Sequence, residues 1–470
     1  MSPSPGTQPG TLTGTLERVD ASIDDALSRL FALLRIPSVS AQPEHAADCA
    51  AAARYLRDEL LACGFDASIR DTPGHPMVVA HDLGATTGPH VLFYGHYDVQ
   101  PVDPLALWKT APFEPTLITT ESGRVEITAR GASDDKGQVM TFIEACRALR
   151  AQTGALPVRV SIILEGEEES GSDNLRPFLE QHREELRADI ALICDTGMIA
   201  PDQPAITGSL RGLVGEEVTI EAARRDLHSG LYGNAARNPI ECLCTILGTV
   251  RDADGRVTLP GFYDGIAVPP DGQRAAWRAI DPDDNGLLGP VGLAVPAGEA
   301  GFTALEQTWC RPSFEINGIS GGYEGEGFKT VLPARATAKV SFRLVPGQDP
   351  ERIRAAFRAH VNAALPSDCR ARFTPHGGSK GIALPPDGPF MDAALGALSA
   401  EWAPNRAVVI GGGGSIPVVS DLREVLGMDT LLIGFALDDD RIHAPNEKYD
   451  LASFHKGIRA WVRVLDALAS

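Results

Sequence analysis

Short apolar runs that break off at a histidine or an acid recur along this chain. VLFYGHYDVQP delivers His96 and Asp98, VSIILEGEEES delivers Glu167, Glu168 and Glu169, IALICDT delivers Asp195, and TLLIGFALDDDRIH reaches His443. A β-rich run closed by a polar turn predicts a buried parallel strand. MVVAHDL predicts a further strand, and helical periodicity falls at 22–36, 46–63, 135–152 and 173–186. This alternation predicts an α/β fold, a mainly parallel sheet covered by helices. In such sheets ligands bind beyond the carboxyl ends of the strands, so the acids and histidines would converge on one crevice.

After about residue 209 the texture changes. GLVGEEVTIEAA and RATAKVSFRLVPG alternate apolar and polar residues, as in an antiparallel sheet with one wet face. Helices are predicted at 238–250 and 350–364, with a weakly periodic Gly/Pro-rich stretch, 252–330, between them. Past residue 385 the first texture returns, with a helix near 389–402, a strand at TLLIGF and a closing helix at 452–468. The expected organisation is a discontinuous catalytic domain, residues 1–209 and 385–470, with an inserted α+β lid and dimerisation domain at 210–384. The polar, Pro/Gly-rich residues 1–14 are expected to form a flexible tail.

Charge and cysteines narrow the function. The 470 residues carry 42 Lys and Arg against 62 Asp and Glu, a net charge of −20. That balance argues against nucleic acid or an anionic membrane as partner. No run reaches the ~18 apolar residues of a membrane span. The eight cysteines form no CxxC pair, which fits reduced thiols and a cytoplasmic location. Cys194, inside IALIC, reads as a strand-core residue rather than a nucleophile.

Each chemical motif is ambiguous alone. In HYD, period-two alternation puts His96 and Asp98 on one face, so His96 can bind a metal while Asp98 accepts its other ring N–H. Ser133, Asp134 and Asp135 suit a helix start, yet a carboxylate there can also bridge two cations. The consecutive acids of GEEES would repel one another unless cations neutralise them; one glutamate can bind metal while a neighbour serves as general base. His228, in RRDLHSGLYGN, offers a donor for an oxyanion. GGGGSIP can bring N–H groups and Ser415 near a ligand, but it lacks the lysine of a phosphate-binding loop. The His, Asp and Glu set suits a hydrolytic divalent-metal site, zinc being the first choice.

Taken together, YGHYDVQP, ARGASDDKGQ, LEGEEESGS, DLHSGLYGN, KTVLPARATAKVSFRLVP and GGSIPV resemble the M20 metallopeptidase family, most closely its cytosolic nonspecific dipeptidase and carnosinase branch. The resemblance implies two divalent ions per subunit, Zn²⁺ or else Mn²⁺. His96 and Asp195 would hold one, Glu169 and His443 the other, with Asp134 between them. It assigns Glu168 as general base and Asp98 as the residue behind His96, and it implies a cis Asp134–Asp135 peptide bond. His228 would reach the partner's active site in a homodimer formed through the lid. Thr330 and Arg343 would contact the substrate carboxylate, and His376 and Ser415 would lie on the substrate side. The implied activity is dipeptide hydrolysis. An N-acyl-amino-acid deacylase or desuccinylase on the same scaffold is the alternative, and an inactive binding homologue the remote one. VVIGGGGSIP departs from the family's RxGGSIP by lacking the charge ahead of the glycines.

Overall fold

The computed structural model describes residues 9–385, 387–414 and 416–470. The chain forms two compact units. The first comprises the chain through Gly208 together with Leu384–Val409 and Pro417–Ser470, and the second Ser209–Ala383 and Ile410–Ile416. The short stretch Ile410–Ile416, expected with the catalytic part, groups with the second unit.

Four parallel strands form the middle of the first unit's sheet, in the order Arg159–Glu165, His90–His96, Ile190–Ile193 and Thr430–Leu432. Their interior residues are fully buried, including Phe93, Ile162, Leu192 and Leu432, which explains why these runs are apolar without alternation. Met77–Asp82 and Asp66–Arg70 extend one edge in antiparallel fashion. Register brings the strand ends into line. His96 pairs with Glu165, Tyr94 with Ile193, and Leu432 with Ile193, so the four strands end at nearly one level. Chemistry-bearing residues just past those ends are therefore neighbours in space although hundreds of residues separate them in sequence.

Helices Lys136–Thr153 and Leu451–Leu468 pack together over this sheet. The Phe93 and Phe142 rings stack 3.9 Å apart, and Trp461 meets them edge-on at 5.9 and 5.3 Å. Aromatic contacts of this geometry add to the area they bury. The N-terminal stretch differs from expectation: residues 9–14, read as part of a tail, belong to a helix, Pro9–Ala21. Leu12, Leu16 and Val19 recur at helical spacing and pack against the core, and this face outweighs the polar, glycine-containing composition. Another difference lies at 173–186, which breaks at His182 into helices Leu175–Gln181 and Arg183–Leu186.

The second unit carries a four-stranded antiparallel sheet, ordered Ser313–Gly321, Arg335–Leu344, Gly212–Glu221 and Arg370–Ser379. Gly212–Glu221 alternates buried and half-buried residues without interruption. Its inner side chains, Val214, Val218 and Ile220, share a core with Leu243, Phe357 and Val361 from helices Pro239–Gly248 and Pro350–Ala364. Both helices open with a capping side chain followed by proline. Asn238 accepts the Ile240 N–H, and Asp349 accepts those of Glu351 and Arg352. The weakly periodic 252–330 holds short helices, Asp271–Ile280, Asn285–Leu288 and Ala304–Trp309, before the edge strand Ser313–Gly321.

The N-terminal helix is thus part of the core. Leu16→Ala is expected to cost about 2–3 kcal/mol in denaturant unfolding. A loss below about 0.5 kcal/mol would show that the helix only rests on the surface.

Candidate metal centre

His96 closes its strand fully buried, and a precise set of partners holds its ring. Nδ1 lies 3.1 Å from the Asp98 backbone carbonyl and 3.4 Å from the Asp98 carboxylate, so the carbonyl is the nearer acceptor. Nε2 is left facing the Asp134 carboxylate at 3.0 Å. Asp98 does more than orient the ring. Its carboxylate takes the Ser40 hydroxyl at 2.6 Å and the backbone N–H groups of Glu168 and Glu169 at 3.3 and 3.0 Å. One buried acid thereby fixes both the histidine and the turn that carries Glu168 and Glu169.

Asp134 is the geometric centre. One carboxylate oxygen faces His96 Nε2, and the other lies 2.9 Å from His443 Nε2. His443 also approaches Glu169 at 3.2 Å, and Gln100 donates to that glutamate at 2.7 Å. His443 takes a left-handed φ of 60°, uncommon for a residue other than glycine. Two sets of ligand atoms result: His96, Asp134 and Asp195 form one, and Asp134, Glu169 and His443 the other, with the atoms of each set within 4.8 Å of one another. Asp134 is common to both. The Asp134–Asp135 peptide bond is cis. Asp135 stands at the start of helix Lys136–Thr153 but caps nothing; its carboxylate accepts the His96 backbone N–H at 3.1 Å.

The electrostatics call for cations. Five carboxylates, those of Asp98, Asp134, Glu168, Glu169 and Asp195, surround two imidazoles. Burial, joined by the Asp134 charge, pushes Asp195 well above the usual carboxylate range. Burial and the charges of Glu169, Asp134 and Asp98 push Glu168 up to about 7, against the pull of His96. Asp134 moves the other way: its bonds to His443 and His96 outweigh burial and hold it below the usual range. The imidazoles answer in kind. Bonds to Asp134 and Glu169 push His443 up to about 10. Burial opposes protonation of His96, but its bonds to Asp134 and Asp98 win and raise it well above the ordinary value. Nitrogen and carboxylate donors in this proportion fit zinc or manganese, and two such ions would neutralise the acids better than two protons do. Beside Asp195 opens a cavity of about 380 Å³ lined by Gln138, Thr196, Leu437, Arg441 and Ile442.

The remaining expected site residues belong to the second unit, apart from Ser415, which lies outside the described residues. His228 precedes the one-turn helix Ser229–Tyr232, and its Nδ1 accepts the Gly230 N–H at 2.9 Å. A neutral ring so held carries its proton on Nε2 and presents a donor. Thr330 lies beside it, its carbonyl accepting the Ser229 N–H at 3.1 Å. Arg343 pairs across the sheet with Ser313 and Leu213, and no carboxylate holds its guanidinium among the described residues. With burial as the larger cause, the Arg343 charge helps push Arg211 down to about 10. His376 flanks Gly215, two residues along the strand from Leu213, so it shares a sheet face with Arg343. Reading the motifs alone missed Ser40, Gln100 and Asp135. Ser40 and Gln100 are ordinary polar loop residues, and Asp135 carried only the signal of a helix cap. Cys194 is buried and its thiol is pushed well up by burial, as suits a core residue.

A mainly parallel sheet that ends in two ligand sets sharing one aspartate is what this fold and geometry define. A model of peptidase family M20/M25/M40 matches residues 92–467, and the chain belongs to that family. A Cys-Gly metallodipeptidase of Schizosaccharomyces pombe is 31% identical over 470 residues, covering 97% of this chain and 98% of its own. Among solved structures, an M20 family metallo-carboxypeptidase from Sulfolobus solfataricus superposes with a TM-score of 0.81 at 30% identity, covering 94% of this chain and 99% of its own. Human carnosine dipeptidase 1 gives 0.81 at 26% identity, with 98% and 99% covered. Among the described residues no helix is long and apolar enough to cross a membrane.

The carboxylates around both imidazoles favour their protonated forms in the metal-free protein, and a ligating imidazole must be neutral, so metal uptake displaces protons. Calorimetric titration with Zn²⁺ near pH 7, in two buffers of different ionisation enthalpy, is expected to show proton release and an affinity that rises with pH. Binding without proton exchange would contradict the charge state described.

Proposed function

We propose that this chain is a dipeptidase working with two divalent ions, Zn²⁺ in the first place and Mn²⁺ in the second, as a cytoplasmic homodimer. The observation that carries the reading is Asp134, whose two oxygens each face a different histidine. His96 and Asp195 would hold one ion, Glu169 and His443 the other, and Asp134 would touch both. Bound there, the ions supply a water of lowered pKa and a polarised scissile carbonyl.

The chain's own groups move the protons and hold the substrate. Glu168, held beside the ligand set by the GEEES turn, takes the proton from the attacking water as the new C–O bond forms. It returns that proton to the amine nitrogen as the C–N bond breaks. Asp98 keeps the Glu168 and Glu169 backbone in place through both steps. His228, contributed by the partner subunit, donates its Nε2–H to the carbonyl oxygen as negative charge develops there. Arg343, which has no carboxylate of its own among the described residues, receives the substrate's terminal carboxylate through its planar fork, with Thr330 beside it. His376 and Ser415 line the substrate side. Recognition of a free carboxylate next to the scissile bond confines cleavage to the last peptide bond of a chain. The restriction to dipeptides is supported by the relatives, two of which are named as dipeptidases.

Glu168→Ala is expected to keep its metal and lose about 10²–10⁴-fold in kcat, the usual worth of a general acid–base group. A variant with wild-type kcat would remove Glu168 from the mechanism.

Substrate class is read by a panel of free dipeptides, their C-terminal amides, N-acyl amino acids and longer peptides, assayed after chelation and metal addition. Metal-restored cleavage of free dipeptides alone is expected, with the amides refractory. Cleavage of N-acyl amino acids instead would move the activity to a deacylase, and release of C-terminal residues from longer peptides to a carboxypeptidase.

A further inference from the structure

The loop that presents Asp134 pairs with no strand over Ala129–Asp135, so its backbone N–H groups need other acceptors. The Arg130 N–H goes to the Pro112 carbonyl at 2.8 Å and the Ala132 N–H to that of Ala129 at 3.2 Å, and a single side chain takes those of Gly131, Ser133 and Asp134. Glu447 is fully buried four residues past His443, just before the strand Lys448–Asp450. One of its carboxylate oxygens accepts the N–H groups of Ser133 and Asp134 at 2.9 and 3.0 Å. The other accepts the Gly131 N–H at 2.9 Å and the Arg130 guanidinium at 2.7 Å. Its backbone carbonyl takes the Ala129 N–H at 3.2 Å. Arg130 is buried as well, donates also to the Pro101 carbonyl at 3.1 Å, and lies over the Trp108 ring.

We propose that Glu447 is a positioning residue of the metal centre, whose carboxylate locks the loop bearing Asp134 to the segment bearing His443. The proposal rests on the reading of this cluster as a metal centre. Every bond to the Glu447 side chain comes from a donor, so the site needs an acceptor-only group with two oxygens. An amide offers one oxygen and turns an NH₂ toward two donors. The loop would then shift, and the Asp134 carboxylate with it, even though residue 447 touches neither the substrate nor the ions. Charge-assisted bonds to backbone N–H are short and directional, which suits the holding of a bridging ligand. Asp440 acts beside it, accepting the Ser133 hydroxyl at 2.7 Å, but it reaches no backbone of the ligand itself.

The test compares wild type, Glu447→Gln and Glu447→Asp in the full chain. Zn²⁺ affinity is measured by chelator competition, the visible absorption of the Co²⁺-substituted protein is recorded, and kcat and KM are determined at saturating metal. For Glu447→Gln the expected result is a loss of about 10–100-fold in metal affinity, the usual scale for groups that orient ligands. An altered Co²⁺ spectrum and a fall in kcat with KM changed less than about threefold should accompany it. Glu447→Asp, which keeps the charge, should recover part of both affinity and spectrum. Should Glu447→Gln fail to fold, Glu447→Asp decides alone: weakened affinity with a shifted spectrum supports the proposal. Variants that melt earlier but bind metal with wild-type affinity and spectrum overturn it in favour of a merely structural role. Wild-type protein that binds no metal overturns the metal reading itself, and this proposal with it.

Discussion

Packing several carboxylates against one another inside a protein is the constraint on which the rest of this molecule turns. Each acid taken alone would neutralise rather than stay charged in such surroundings. Here Asp195 and Glu168 are driven upward by burial, while Asp134 stays low only because two imidazoles face it. Such a cluster is stable where cations complete it, and the two sets of ligand atoms around Asp134 provide places for them. A structure that keeps this arrangement carries a standing electrostatic cost, which metal binding offsets.

The scaffold's task is to hold the acids where they repel. Parallel strands end at one level and deliver His96, the GEEES turn and Asp195 to one edge, while the segment after Thr430–Leu432 returns with His443. Behind them stand buried acceptors that touch no substrate. Asp98 fastens the glutamate turn, Asp135 fastens the His96 backbone, and Glu447 gathers the loop that carries Asp134. The second unit contributes another kind of chemistry. It holds the Arg343 guanidinium, without a carboxylate partner among the described residues, and a histidine at 228 with a fixed tautomer. In the proposed reading, metal binding and proton transfer fall to the first unit, and carboxylate recognition and oxyanion stabilisation to the second.

Much of this was legible in the residues, for physical reasons. Fully buried parallel strands must be apolar throughout, so VLFYGH and VSIILE announced themselves, and the acids after them marked the crevice. Alternation in GLVGEEVTIE likewise betrayed a sheet with one wet face. What stayed hidden depended on long-range contacts. Residues 9–14 look like the end of a polar tail until the helix they open, Pro9–Ala21, meets the core through Leu12, Leu16 and Val19. Glu447 acts on a loop 313 residues away, and a single glutamate before a strand gives no local sign of that. Asp135 was visible but ambiguous, because an acid at a helix start has an ordinary capping explanation that only its bond to the His96 N–H displaces.

Whether Asp134 bridges two divalent ions is decided by anomalous diffraction at the zinc edge from crystals grown with Zn²⁺. Two peaks per subunit are expected, one among His96, Asp134 and Asp195 and the other among Asp134, Glu169 and His443. A single peak that leaves either set empty under saturating Zn²⁺, or peaks that avoid Asp134, would contradict the bridge.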